Sequence, residues 1–515
     1  YKRQAYLREA GYYCTNNVKE DYNLVKPGGT WDESSDKAHY RNRAKGQPFF
    51  AVFNHTITHE SQIRRRPHTL QHDPSRVRVP AYHPDTPEVR HDWAQYYDNI
   101  TTMDGQAGRL LAELEEEGLL EDTIVFFYGD HGSGMPRSKR WPYNSGLNVC
   151  VVASIPEKYR HLAAAGYRQG GRSGRLIEFV DLAPTVLSLA GVEPLKHFHG
   201  EAFLGPFAAR PKQYLHGLRG RMDERLDSVR SVRDDRYVYV RNYMPHKIYG
   251  QYLAYMWETP TTQVWERLYK EGRLNAAQRK FWEPKPPEEL YDLQQDPDEV
   301  NNLAASPAHR RILERMRAEH RRYELAIRDA GMLAESEMHA RSRGESPYDM
   351  ARDPKRFNGE RLLDAAQLAS GMDAQAAPRL AQMLGDADSG VRYWGAMGLL
   401  MRGGAAVAAH AEVLKKALED SSVAVRIAAG EALGRFAGEQ ELKSAMEALV
   451  ALCHPVQHGA YAAVEALNAV EAIGEKAKPW LSAILAMPDE DPNAPQRARS
   501  EYIRRMRELL KRQLA

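Results

Sequence analysis

Short apolar runs alternate with helical periodicity over the first two hundred residues. Ile124 to Tyr128 are consecutive β-branched or aromatic residues. The run is too short for a solitary helix and lacks polar alternation, so it predicts a strand buried on both faces. Phe49 to Phe53 and Leu147 to Ile155 carry the same signature, and Tyr12 to Thr15 a shorter one. Asp98 to Gly118 sets apolar residues at helical spacing and ends in glycine, the pattern of a crossover helix delivering the next strand. Helices alternating with buried strands predict an α/β domain whose sheet is mostly parallel and flanked by helices. Tyr1 to Gly11 reads as the middle of a helix running to a glycine cap, with no N-cap and no initiating Met. The chain is therefore expected to start inside a domain.

The pattern changes at Pro211. Asp227 to Asp234 and Arg236 to Arg241 read as short alternating strands, predicting a small antiparallel sheet with a helix as far as Leu303. Residues 306–358 read as a helix and a linker around Ala340 to Pro347. A repeat follows: Leu384 and Asp386 with Val391-Arg392 recur as Leu418 and Asp420 with Val425-Arg426, 34 residues on, and Glu431-Ala432-Leu433 recurs as Glu465-Ala466-Leu467. A turn aspartate followed by Val-Arg opening an alanine-rich helix is the pattern of HEAT-like repeats, which stack as an all-α solenoid. The expected domains are 1–208 (α/β), 209–305 (antiparallel α+β), 306–358 (helix and linker) and 359–515 (helical repeats), the last offering a possible protein or glycan docking face or a stabilising appendage.

Composition narrows the function. Lys plus Arg number 71 against 69 Asp plus Glu, which removes the electrostatic case for nucleic acid. Cys14, Cys150 and Cys453 are far apart and two sit among apolar residues, so they read as buried free thiols rather than a zinc or disulfide framework. No stretch is long and apolar enough to span a bilayer, and the mean hydropathy is −0.62.

Candidate chemistry gathers where strands end. Gly129-Asp130-His131-Gly132 follows the strand at Ile124, and Lys139 lies in the basic, glycine-punctuated loop beyond it. A carboxylate and an imidazole there could serve a divalent cation, with Lys139 facing an anion held by that cation. Lys19 and Asp21 stand in the polar loop after the first strand, and His55 and His59 follow Phe53. An imidazole suits hydrogen bonding to an anionic or leaving oxygen, the role expected for His59, whereas His55 reads as structural. Arg64-Arg65-Arg66 reads as a solvated basic face. Arg221, Asp223 and Glu224 could overhang the pocket and read hydroxyls or acids of a sugar.

Taken in order over roughly residues 1 to 305, these motifs resemble the sulfatase branch of the alkaline-phosphatase superfamily, most closely bacterial sulfatases related to heparan N-sulfatase (sulfamidase). The resemblance implies a sulfuric ester or sulfamate hydrolase acting on a sulfated carbohydrate or small sulfate ester. Lys19, His59 and Lys139 would be its catalytic residues; Asp21, Arg221, Asp223 and Glu224 would bind substrate; Asp130 and His131 would be ligands to calcium. It also implies a periplasmic or secreted location. Sulfatases make a formylglycine nucleophile from a Cys/Ser-x-Pro-x-Arg motif; here only Cys453-His454-Pro455-Val456-Gln457 and Ser154-Ile155-Pro156-Glu157-Lys158 come near, and neither qualifies. Formylglycine and an Asp-Asp metal pair are expected ahead of Tyr1, so the chain as given is expected not to turn over. The alternatives are a phosphate or phosphonate ester hydrolase of the same superfamily, with His197, His199 and His216 as further metal ligands, and an inactive relic or scaffold that binds through its repeats.

Overall fold

The computed structural model describes every residue except Tyr1, Asp21 and Asn23 to Val25, and every side chain among the rest except those of Lys2, Gln496 and Arg497. Asp21, expected at the substrate, therefore lies outside the described residues.

Helix α1 (Lys2–Glu9) ends at Gly11, whose positive φ of 91° closes the cap. Strands β1 (Tyr13–Asn17), β2 (Glu33–Ser34) and β3 (Phe49–Phe53) form a parallel sheet in the order β2-β1-β3, with Tyr13 opposite Phe49 and Asn17 opposite Phe53. A short helix α2 (Glu60–Ile63) follows. The crossover helix α3 (Pro87–Glu116) begins eleven residues earlier than its apolar spacing predicts. Thr86 caps it and Pro87 opens it, both strong starting signals. Its first turns bury Val89, Trp93 and Ala94 together with Asp92, whose carboxylate accepts from Thr261.

Strand β4 (Val125–Tyr128) departs from expectation. It pairs antiparallel with β5 (Val151–Ser154), Val125 opposite Ser154, as a separate two-stranded sheet. It is not buried on both faces: Tyr128 is 40% exposed and Val152 of its partner 56%. Each of β3 and β4 has one hydrogen-bonded neighbour among the described strands. Both line a cleft of about 1870 Å3, floored by apolar side chains of α3 such as Leu110 and Leu114. The apolar runs are strands, as their residues dictate, but nothing described fills the space between them. Cys150, expected to be buried, is exposed for the same reason; Cys14 and Cys453 are buried, and burial pushes both thiols up to about 12.

Two short helices, α4 (Asn144–Leu147) and α5 (Leu182–Leu189), flank this region. Asp181 accepts from the Glu178 backbone in a capping box and pairs with Lys212, a structural role. The next unit matches its pattern: β6 (Leu215–Arg219), β7 (Val229–Arg233), β8 (Tyr237–Asn242) and β9 (Glu288–Asp292) run antiparallel in order. Helix α6 (Pro260–Lys270) interrupts them, and α7 (Arg310–Ile327) lies across β7 and β8.

Residues 306–358 hold the expected helix, α7, and residues 342–346, inside the expected linker, form neither helix nor strand. Helix α8 (Glu335–Arg341) is laid on the helical region that follows: Glu337 accepts from the hydroxyls of Ser389 and Ser422, Glu465 accepts from the Ser336 amide at 3.0 Å, and His339 stacks on Tyr461. That region packs α9 (Gly359–Ser370), α11 (Ser389–Met401), α13 (Val423–Phe436), α15 (Ala460–Ile473) and α16 (Gln496–Leu514) successively, with α10 (Ala377–Met383), α12 (Ala411–Ala417) and α14 (Glu439–Leu452) as a second row. The 34-residue recurrence has a physical use: Arg392 of one unit makes a two-armed ion pair, 2.7 Å on each arm, with Asp420, the turn aspartate of the next. Its counterpart Arg426 donates instead to the Leu418 carbonyl at 3.1 Å.

Candidate active site

Three strand ends converge on the cleft. The Asn54 amide donates to the Asn17 carbonyl and its side chain to Asn16 Oδ1 at 3.0 Å, which ties the loop after β3 to that after β1. Lys19, His55, His59, Asp130 and His131 all line the cleft. Lys19 Nζ stands 3.5 Å from Asp130 Oδ2, and His131 Nε2 3.5 Å from Asp130 Oδ1.

The hydrogen bonds fix which imidazole nitrogens are available. His59 caps α2, its Nδ1 accepting from the Ser61 amide at 3.3 Å. A nitrogen that accepts carries no proton, so neutral His59 holds its hydrogen on Nε2. Burial first, and then the Lys139 ammonium, hold His59 below its ordinary pKa and keep it neutral. In His131, Nδ1 donates to the Gly132 carbonyl at 2.7 Å and Nε2 faces the Asp130 carboxylate.

Lys139 reaches this site through Glu60, which the sequence reading passed over. The Glu60 carboxylate is 1% exposed and binds Lys139 Nζ at 2.9 Å and both arms of Arg140 at 2.8 Å. Burial alone would raise this carboxyl; Arg140 and Lys139 together pull it below its usual range. The loop packs so closely here that a Cβ on Gly134 would lie 2.3 Å from that of Glu60, and one on Gly132 1.8 Å from the Ser145 carbonyl oxygen. A Lys-Arg pair with no acid in its own loop, and an acid beside a capping His, were the available signals.

The antiparallel unit holds the loop from behind. Arg137, at a φ of 65°, lies over the rings of Tyr82 and Tyr143 and donates to the Glu299 carbonyl at 2.7 Å. Tyr143 donates to Glu289, and both carboxylate oxygens of Glu299 accept from the Asn144 amide at 3.0 Å. Burial raises Glu299 to about 7, against the pull of Arg137.

Two expected substrate residues face elsewhere. Arg221 pairs with Glu335 and lies over Tyr502, and buried Glu224 accepts from the Ala254 amide and pairs with Arg505. Both join the antiparallel unit to the helical array, because a turn between two packed units offers its charges to those units before solvent. Asp223, at a φ of 48°, points toward the site instead, 3.6 Å from Arg140 Nε. The arginine triplet is not a uniform solvated face: Arg64 pairs with Glu258 at 2.8 Å and Arg66 with Asp92 at 2.9 Å.

The described residues do not by themselves fit a calcium centre. Among them no group of three or more His, Cys, Asp or Glu side chains is placed to hold a metal ion. Asp130 and His131 are two donors, whereas calcium takes six to eight oxygens. His197, His199 and His216 do not extend the set; they lie against Phe198, Tyr348 and Glu319 respectively.

Comparison with known proteins finds sulfatases. The sulfatase family model matches residues 5–192. An ulvan-active sulfatase from Formosa agariphila is 40% identical over 389 residues, covering 68% of this chain and 64% of that protein. Human N-sulphoglucosamine sulphohydrolase is 28% identical, covering 51% and 53%. A solved structure in complex with its substrate, D-glucosamine-2-N,6-O-disulfate, is 15% identical over 62% of this chain and 81% of that one, with a TM-score of 0.38. The chain thus spans between half and two thirds of these curated relatives. The sulfatase family model thus matches the stretch, residues 5–192, that carries the converging strand ends and the Asp130-His131 pair.

Proposed function

We propose that the cleft binds the sulfate group of a sulfated carbohydrate and forms part of a site that hydrolyses its ester or sulfamate bond. The observation that carries this is the neutral His59 imidazole, its Nε2–H the remaining polar group of a ring lining the cleft, with Lys19 in the same cleft and Lys139 fixed behind it by Glu60. Ammonium groups favour a bound anion. His59 Nε2–H can donate to the bridging oxygen or nitrogen as negative charge develops there, a general-acid role. The similarity to an ulvan-active sulfatase and to N-sulphoglucosamine sulphohydrolase supports a sulfated sugar as the substrate class.

Calcium and a formylglycine nucleophile belong to this reading as groups held by residues beyond those described, Asp130 and His131 contributing two ligands. An extended segment seated along β3 and β4 would satisfy their open edges and bring such residues to the strand ends. A periplasmic or secreted location and a HEAT-like solenoid are part of the same reading.

The test is sulfate release from sulfated disaccharides. The 515-residue chain alone is expected to release none; joined to a segment that supplies the nucleophile it should turn over, and His59→Ala should lower kcat by about a hundredfold or more. Turnover by the chain alone, abolished by Lys139→Ala, would place the nucleophile among these residues. No sulfate release by the joined protein would overturn the reading.

A further inference from the structure

Beside the cleft lies a second hollow of about 650 Å3, sharing Asn54, His55, Thr56 and Gln62 with it as a common wall. Its far side is one face of α3, where Gln106, Arg109, Leu110 and Glu113 recur at helical spacing, and Arg41 and Arg65 reach it from separate loops. Two of its three arginines are uncommitted. Arg41 is bound by Glu113 and Glu117, but Arg65 and Arg109, both exposed, have no acidic partner among the described residues. The neighbours of Arg65 make its isolation pointed: Arg64 and Arg66 are each neutralised by a carboxylate, so only the middle arginine of the triplet is left facing the hollow.

Unpaired guanidiniums in a concave site repel one another and raise the local positive potential, and an anion bound between them relieves both. The amides of Gln62 and Gln106 and the His55 ring add neutral hydrogen-bonding groups in the same hollow. Arginine's planar fork fits a sulfate or a carboxylate with two parallel hydrogen bonds.

We propose that this hollow is an anion subsite in which Arg65 and Arg109 take the sulfate or carboxylate of the sugar next to the one in the cleft. The inference rests on the sulfated-carbohydrate reading, extends it from one sugar unit to two, and explains why His55 sits on the partition rather than in the reacting centre.

The test is isothermal titration of the 515-residue chain with a heparin-derived tetrasaccharide, with the same oligosaccharide chemically desulfated, and with a single sulfated monosaccharide. The double variant R65A/R109A should weaken tetrasaccharide binding about tenfold and leave the monosaccharide unchanged, each exposed charge-assisted contact supplying a few-fold. If the loss persists with the desulfated ligand, the group read is the carboxylate; if it vanishes, the sulfate. Equal affinities for wild type and the double variant, or no binding of the tetrasaccharide by wild type, overturn the subsite. The variant His59→Ala separates this from the reading beneath it. If R65A/R109A weakens the tetrasaccharide while His59→Ala changes neither ligand, the subsite stands and the placing of the reacting centre fails.

Discussion

Strands β4 and β8 have closely similar compositions, Val-Phe-Phe-Tyr against Tyr-Val-Tyr-Val-Arg-Asn, and opposite fates. Every residue of β8 after the first is buried, between β7, β9 and α7, whereas no residue of β4 is fully buried. A strand's own residues settle that it is extended; only its neighbours settle that it is covered. The antiparallel unit and the helical array supply those neighbours, whereas β4 has one hydrogen-bonded neighbour among the described strands. The candidate site stands at that seam, its loop anchored on the closed side through Glu289, Glu299 and Arg137 and open to the cleft on the other.

Substitutions on the two sides should differ most. Trp394 is 1% exposed and donates to the Met332 carbonyl from within the helical array. Trp394→Ala is expected to cost about 3–5 kcal/mol in denaturant unfolding of that region, while Val152→Thr on the open strand should change stability by less than about 0.5 kcal/mol. Equal effects would show that the open face is covered. Glu60→Ala comes next: it strands the buried Arg140 guanidinium and should cost about 3 kcal/mol by the same assay. Because the Glu60 carboxyl lies below its ordinary range, its contribution is present above the unfolded carboxylate pKa and lost as pH falls through the folded one.

A smaller effect separates the sides by pH. Glu299 and Glu465 are both raised to about 7 by burial, so folding takes up protons between about 4.5 and 7 and stability falls as pH rises across that window. Glu465→Gln should flatten the slope for the helical array and Glu299→Gln that for the loop, read from urea midpoints at pH 5 and pH 7.5. Smallest of all, Lys19→Met breaks an exposed pair and should shift stability by under about 0.5 kcal/mol.

Most of the closed part was legible in the sequence. Strands β7 and β8 follow from their alternation, and helices α11 and α13 from Val391-Arg392 recurring as Val425-Arg426. The misreadings share one cause. Ile124 to Tyr128 shows period and composition, which report what a segment can bury and not whether anything is there to bury it. Helix α8 abuts the stretch expected as a linker, and its Glu337 and His339 spend their polarity on Ser389, Ser422 and Tyr461. Arg221 and Glu224 were misplaced for the same reason, since a charged turn looks alike whether it faces ligand or another unit. His59, Lys19, Asp130 and His131 line one cleft because each stands just past a strand end. Glu60 was passed over, because its partners Lys139 and Arg140 lie some eighty residues away.

The central claim is that this cleft recognises a sulfate group through His59 and its flanking lysines. Its most direct measurement is the affinity of the 515-residue chain for a sulfated monosaccharide against the unsulfated sugar, repeated with His59→Ala and Lys139→Ala. A preference of at least about tenfold for the sulfated sugar, lost in both variants, is the predicted result. Equal affinity for the two sugars, or a preference that both variants retain, would contradict it.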